Sequence, residues 1–67
     1  MLTLGERIRS IRKITNLTQA EFAAELRISR PHLNKVENNK ENPSGTLVRL
    51  ISVLFQIDED WIKSGCK

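Results

Sequence analysis

"LTQAEFAAELRISRPHLNKVEN", residues 17–38, holds two helix starts within one short stretch. At the first, Thr18 is followed three positions on by Glu21. This is a capping box, in which the hydroxyl and the carboxylate each take a free backbone N–H of the other residue. Leu17 and Phe22 form a hydrophobic staple around it, and Phe22, Ala23 and Leu26 supply the inner face. At the second start Ser29 caps, and Ile28 and Leu33 staple. Pro31 falls in the first turn, where its missing N–H leaves no bond unmade. Two short capped helices separated by "LRIS" form a helix-turn-helix unit.

The flanks read the same way. "TLGE", residues 3–6, is a further capping box and opens a helix with Leu4, Ile8 and Ile11 at helical spacing among Arg7, Arg9, Arg12 and Lys13. Asn16 and Asn39 are suited to the left-handed positions that end the first and third helices, and Pro43 bars continuation of the third. Ser44 caps a fourth helix reaching to about Phe55. Asp58 caps a fifth, with Ile57 and Ile62 as its staple and Trp61 beside them. No stretch alternates as a strand does. The sequence predicts an all-α fold, a compact five-helix bundle in a single domain over residues 1–67, with helices at about 3–15, 18–26, 29–38, 44–55 and 58–64.

A chain of 67 residues buries only about 60% of its unfolded surface, so well-formed helices or a partner must support its thin core. Cys66 is the one cysteine and His32 the one histidine, so neither a disulfide within the chain nor a cysteine- or histidine-based metal site is expected. The lone thiol points to a reducing compartment, hence a cytoplasmic location. There is no phosphate-cradling glycine loop, no Ser-His-Asp set and no apolar run near 18 residues. The expectation is a non-enzymatic protein without cofactor, metal, small-molecule ligand or membrane span. The net charge of +3 is unevenly spread. Residues 1–40 hold eight Lys/Arg against four Asp/Glu, and residues 41–67 hold three against four. A positive N-terminal half suits a nucleic-acid partner.

The third helix has two faces. At about 100° per residue, Asn34, Asn38, Pro31 and Lys35 fall within roughly 140° of Arg30, while Leu33 and Val36 lie on the far side. The outer set fits the major groove. Arg30 or Lys35 can donate to guanine O6 and N7, Asn34 can bond adenine N6 and N7, and Pro31 can meet a thymine methyl. A plainly solvated polar face is the alternative. Thr18 and Gln19 would face a phosphate, and His32 would sit at the rim of the helix within reach of another.

"LTQAEFAAELRISRPHLNKVENNKENPS", residues 17–44, resembles the helix-turn-helix core of the Cro and phage-repressor type of DNA-binding domains, the xenobiotic-response-element family. "RIRSIRK" upstream and "DEDWIKSG" downstream fit as well, so the resemblance covers nearly the whole chain. It implies a recognition element in helix 3 and a two-fold homodimer on a double-stranded operator of two half-sites. By position it implies base reading by Arg30, Pro31, Asn34 and Lys35, and backbone contacts by Gln19, Asn38 and Lys40. It also implies a pair, Arg12 and Glu37, tying helix 1 to helix 3. Two positions depart from the pattern: Arg27 and Asn39 stand where the family usually has Gly. The function expected is that of a sequence-specific transcriptional regulator, a repressor, with an antitoxin or co-regulator acting by protein interaction as the other reading.

On the fourth helix, Val48, Ile51 and Phe55 form one apolar row and Leu47, Leu50 and Leu54 a second, together wider than the roughly 100° stripe a surface helix needs. The row of Leu47, Leu50 and Leu54, with Trp61 or Ile62, is therefore expected to be exposed in a monomer and to form the dimer contact.

Overall fold

Each helix of the structure begins at a residue whose side chain can replace a missing backbone partner. The chain, seen as a computed structural model described over residues 2–64, consists of α1 (Leu4–Ile14), α2 (Gln19–Glu25), α3 (Arg30–Glu37), α4 (Gly45–Phe55) and α5 (Glu59–Ser64). Gly65 and Cys66 lie outside the described residues. Thr3 Oγ1 accepts from Glu6 N at 3.2 Å, and Thr3 N donates to Glu6 Oε1 at 2.9 Å. Thr18 and Glu21 repeat this at 3.1 and 2.9 Å. The N–H donors at Thr3 and Thr18 hold the carboxyls of Glu6 and Glu21 below the ordinary glutamate range. Ser29 and Ser44 cap α3 and α4, accepting from His32 N and Leu47 N at 3.2 and 3.1 Å. Asp58 Oδ1 takes Asp60 N at 2.8 Å.

The helix ends are equally regular. Asn16, Arg27, Asn39 and Gln56 have φ of 61°, 60°, 61° and 55°, one left-handed residue after each of α1 to α4. At the first three, a pair of main-chain bonds closes the corner. Arg27 N donates to Ala24 O at 3.1 Å and Ile28 N to Ala23 O at 3.0 Å, satisfying carbonyls that the helix end would leave open. The turn of the helix-turn-helix unit thus keeps its left-handed geometry with Arg in place of Gly. Gln56 was not expected there, because Gln carries no left-handed preference in the sequence.

The core is built from Ile8, Ile11, Phe22, Ala23, Leu26, Leu33, Val36, Leu47, Val48, Ile51 and Ile62. Phe22 stacks on Phe55 with ring centroids 5.1 Å apart, joining α2 to α4. α1 meets α3 so closely that only glycine fits at position 5. A Cβ on Gly5 would collide with the main-chain oxygens of Val36 and Glu37 and with Asn39 Oδ1. Asn39 fills this corner with two bonds of its own, accepting from Gly5 N at 3.1 Å and donating to Thr3 Oγ1 at 2.9 Å.

Two expectations about exposed residues are corrected. Leu47 is buried, and Ile62 is 0% exposed within the single chain, so both belong to the core and not to a free edge. α5 folds back against α4 and α1, and in doing so it covers them. Leu50 and Trp61 are half-buried against the same core. Leu54, at 45%, remains exposed, and beside it stands Val53 at 67%, which neither apolar row contained. Arg7 was read as one of several basic residues around α1, yet it is buried. Its Nε donates to Ile62 O at 2.9 Å and its Nη2 to Lys63 O at 3.0 Å, with a third bond to Leu2 O. One guanidinium therefore ties α1 to main-chain carbonyls at the end of α5. Among the described residues, no helix is long and apolar enough to cross a membrane.

The Arg27 corner gives a direct test. Its backbone is left-handed and its side chain is exposed, so glycine relieves strain there without opening a cavity. Arg27→Gly is expected to stabilise the fold by roughly 0.5–1 kcal/mol after the added chain entropy of Gly, raising Tm by a few degrees. A thermal melt in which the variant unfolds below the parent would show that the Arg27 side chain contributes more than its backbone costs.

Candidate nucleic-acid interface

α3 divides as its spacing requires. Leu33, Val36 and Glu37 turn inward, while Arg30, Pro31, Asn34 and Lys35 are exposed. With Gln19 from the start of α2 and Lys40 from the loop after α3, these four line one open hollow. Two cations of α3, an amide and a proline thus share a surface with Lys40, and no carboxylate lines it.

Behind that surface sits one carboxylate. Glu37 is 1% exposed, and an unpartnered charge so deep would be strongly destabilising. It has several partners. Arg12 donates through Nε to Oε2 at 2.8 Å and through Nη2 to Oε1 at 3.2 Å, a bidentate fork from α1. Gln19 Nε2 donates to Oε1 at 3.3 Å, and Arg9 Nε lies 3.7 Å from the same oxygen. Gln19 in turn accepts from Arg30 Nε at 3.3 Å. Contact thus runs from the outermost cation of α3 through α2 to the buried acid.

A second line of bonds leaves from Arg9. Its Nη2 donates to Asn38 Oδ1 at 2.8 Å, and Asn38 Nδ2 donates to Asn34 O at 2.8 Å and to Asn34 Oδ1 at 3.2 Å. Sequence reasoning placed Arg9 only among the basic residues of α1. The available signal was its spacing: Arg9 lies three residues before Arg12 and so shares the side of α1 that faces α3. His32 does not stand free at the rim. Its Nδ1 is 2.7 Å from Glu41 Oε2, and it is not among the residues of the hollow. Thr18 Oγ1 is engaged as the cap of α2, and Thr18 too lies off the hollow.

Because Glu37 is buried, losing Arg12 should be felt in stability. Arg12→Ala is expected to cost about 3 kcal/mol, the low end for breaking a buried pair, since Gln19 and Arg9 stay beside the acid. Urea unfolding checks this. A loss below about 1 kcal/mol would place the pair with exposed ion pairs.

The geometry has counterparts. A model of the helix-turn-helix family matches residues 8–62. The chain is 42% identical over 43 residues to the immunity repressor protein of Bacillus phage phi105, covering 64% of this chain and 30% of that protein. It is 36% identical over 64 residues to the HTH-type transcriptional regulator DicA of Escherichia coli, covering 96% of this chain and 47% of DicA. It is 39% identical over 54 residues to the antitoxin PezA of Streptococcus pneumoniae, covering 81% of this chain and 34% of PezA. The chain therefore spans less than half the length of these curated relatives. The crystal structure of the P22 c2 repressor in complex with a synthetic operator superposes with a TM-score of 0.88 at 26% identity, covering 98% of this chain and 100% of that one. With the family model extending from α1 to α5 and the five helices laid out as in a phage repressor, the chain belongs to the helix-turn-helix family, in its phage-repressor branch.

Proposed function

We propose that this chain binds double-stranded DNA sequence-specifically, with α3 in the major groove, and acts as a transcriptional repressor at a roughly palindromic operator. The observation that carries this is the outward face of α3, where Arg30, Pro31, Asn34 and Lys35 stand together over an inward face anchored by Glu37. Side chains that donate to base edges in the groove are of these types, and the proline supplies an apolar contact. Gln19, Asn38 and Lys40 border that face and are the backbone-contacting residues of this reading, with Thr18 at the periphery. His32, already paired with Glu41, is left out of it. The names of the relatives support the reading: two are a repressor and a transcriptional regulator, and the solved neighbour is held on an operator.

Binding should weaken with salt, each neutralised phosphate adding about −0.9 to the log–log slope. Lys40→Ala is expected to lower affinity for every sequence alike, and Asn34→Ala to relax preference at one base position. Selection of operators from a random pool followed by gel shift measures both. If Asn34→Ala left every base preference intact, α3 would not be the reader. One relative, the antitoxin PezA, favours a second reading, a protein-interaction module. The cationic, polar face of α3 fits that reading less well, and selection that enriched no sequence at low salt would favour it.

The same proposal includes a homodimer. Val53 and Leu54 leave an apolar edge on α4, with half-buried Leu50 and Trp61 as its nearest core residues in sequence and type. Covering that edge with a second copy would set two α3 helices about 34 Å apart, one DNA turn. Because Leu54 is exposed in the single chain, Leu54→Glu is expected to leave the fold intact and abolish self-association in sedimentation. A parent chain that stays monomeric at high micromolar concentration would remove the dimer from the proposal.

A further inference from the structure

We infer that Arg9 is a positioning residue for base recognition: through Asn38 it turns the Asn34 side chain so that Asn34 presents hydrogen-bond donors to the groove and reads guanine instead of adenine. This inference rests on the proposed DNA-binding role of α3.

The steps follow from what each group can do. A guanidinium only donates, so the atom of the Asn38 amide that faces Arg9 Nη2 at 2.8 Å must be the oxygen. The Asn38 NH2 group is thereby fixed on the other side. There it meets two acceptors of Asn34, the main-chain oxygen at 2.8 Å and Oδ1 at 3.2 Å. With its Oδ1 turned to Asn38, Asn34 aims its own NH2 group outward. Arg9 is itself held near Glu37 Oε1, at 3.7 Å, so the start of the relay is anchored at the buried acid.

The chemistry of the groove then decides the base. A freely rotating Asn pairs with adenine by accepting from N6 and donating to N7. An Asn whose oxygen is engaged can make only the second of those bonds. Guanine offers two acceptors, N7 and O6, and takes a donor group at either or both. Asn34 is therefore expected to select guanine at its position, against the adenine that its residue type alone suggests. Arg9 would enter specificity without touching a base.

The test has one arm without DNA and one with it. In the free chain, Arg9→Met should shift the side-chain amide resonances of both Asn38 and Asn34, while Arg9→Lys, which keeps a donor-only cation, should shift them less. Unchanged resonances in Arg9→Met would overturn the relay whether or not the chain binds DNA. In operator selection, the parent should prefer guanine over adenine by roughly ten-fold at the position that Asn34→Ala relaxes. Arg9→Met should bring that ratio near one or invert it, leave the preferences set by Arg30 and Lys35 in place, and lower affinity uniformly through its lost charge. Arg9→Lys should restore the ratio. A parent preference for adenine at that position, or a ratio that Arg9→Met leaves unmoved, would overturn the inference while DNA binding stands. If the parent enriches no sequence at all, the DNA-binding reading fails and takes this inference with it.

Discussion

The buried carboxylate of Glu37 is the constraint on which the arrangement of α1, α2 and α3 depends. Helices of 7 and 8 residues do not hold their shape alone, so their relative positions must come from contacts between them. Apolar packing of Phe22, Leu33 and Val36 supplies the attraction but tolerates small slips, because dispersion has little directional preference. A carboxylate at 1% exposure does not tolerate them. Each of its oxygens needs a donor within about 3.3 Å, and those donors come from α1 and α2. The acid therefore fixes the angle and height of α3 against both neighbours. Such a group adds less net stability than a packed hydrophobe would, and what it contributes here is register.

That division of labour explains what the sequence could reveal. The helix starts were legible because a capping box is closed by residues three apart, and every one of them formed where Thr3, Thr18, Ser29 and Ser44 stand. Asn16 and Asn39 were legible as left-handed corners because Asn has a local reason to adopt that conformation. Gln56 has none, and its corner is imposed by the turn from α4 into α5. Arg7 was illegible for a related reason. Helical spacing shows which residues share a face, but whether a charged one is covered depends on where a distant helix end arrives, here that of α5, which lies 55 residues along the chain. Ile62 and Leu47 were assigned to the outside by the same gap: the width of an apolar stripe says how much must be covered, not which partner covers it. The candidate DNA face was legible as a set of residue types on α3. The orientation of those side chains was not, because it is set by bonds from α1 and α2.

Asn39 shows how a departure from a family pattern can be absorbed. A glycine at that corner would adopt φ near 60° without strain. Asn accepts a small penalty there, and its amide then satisfies Gly5 N and Thr3 Oγ1 across the junction of α1 and α3. The space in front of it exists because position 5 has no Cβ. Two local choices made 34 residues apart are thus mutually dependent, one removing bulk and the other filling the corner with a polar group. Arg27 has no such compensation among the described hydrogen bonds, which is why its corner carries strain that Asn39's corner largely offsets.

Polarity propagates outward from the same buried acid. A carboxylate only accepts and a guanidinium only donates, so an amide beside either one loses its choice of orientation. Gln19 must give its NH2 to Glu37, which leaves its oxygen for Arg30 Nε, and Asn38 must give its oxygen to Arg9, which leaves its NH2 for Asn34. In both lines the acceptor atoms are used up on the protein side. What Arg30, Asn34 and Lys35 have left to offer is donors, the polarity that suits both a phosphate backbone and the acceptor-rich edge of guanine. Fixing those side chains before contact also lowers the conformational entropy lost on binding. A group that never reaches the surface therefore sets both the sign of the recognition face and the rigidity with which it is presented.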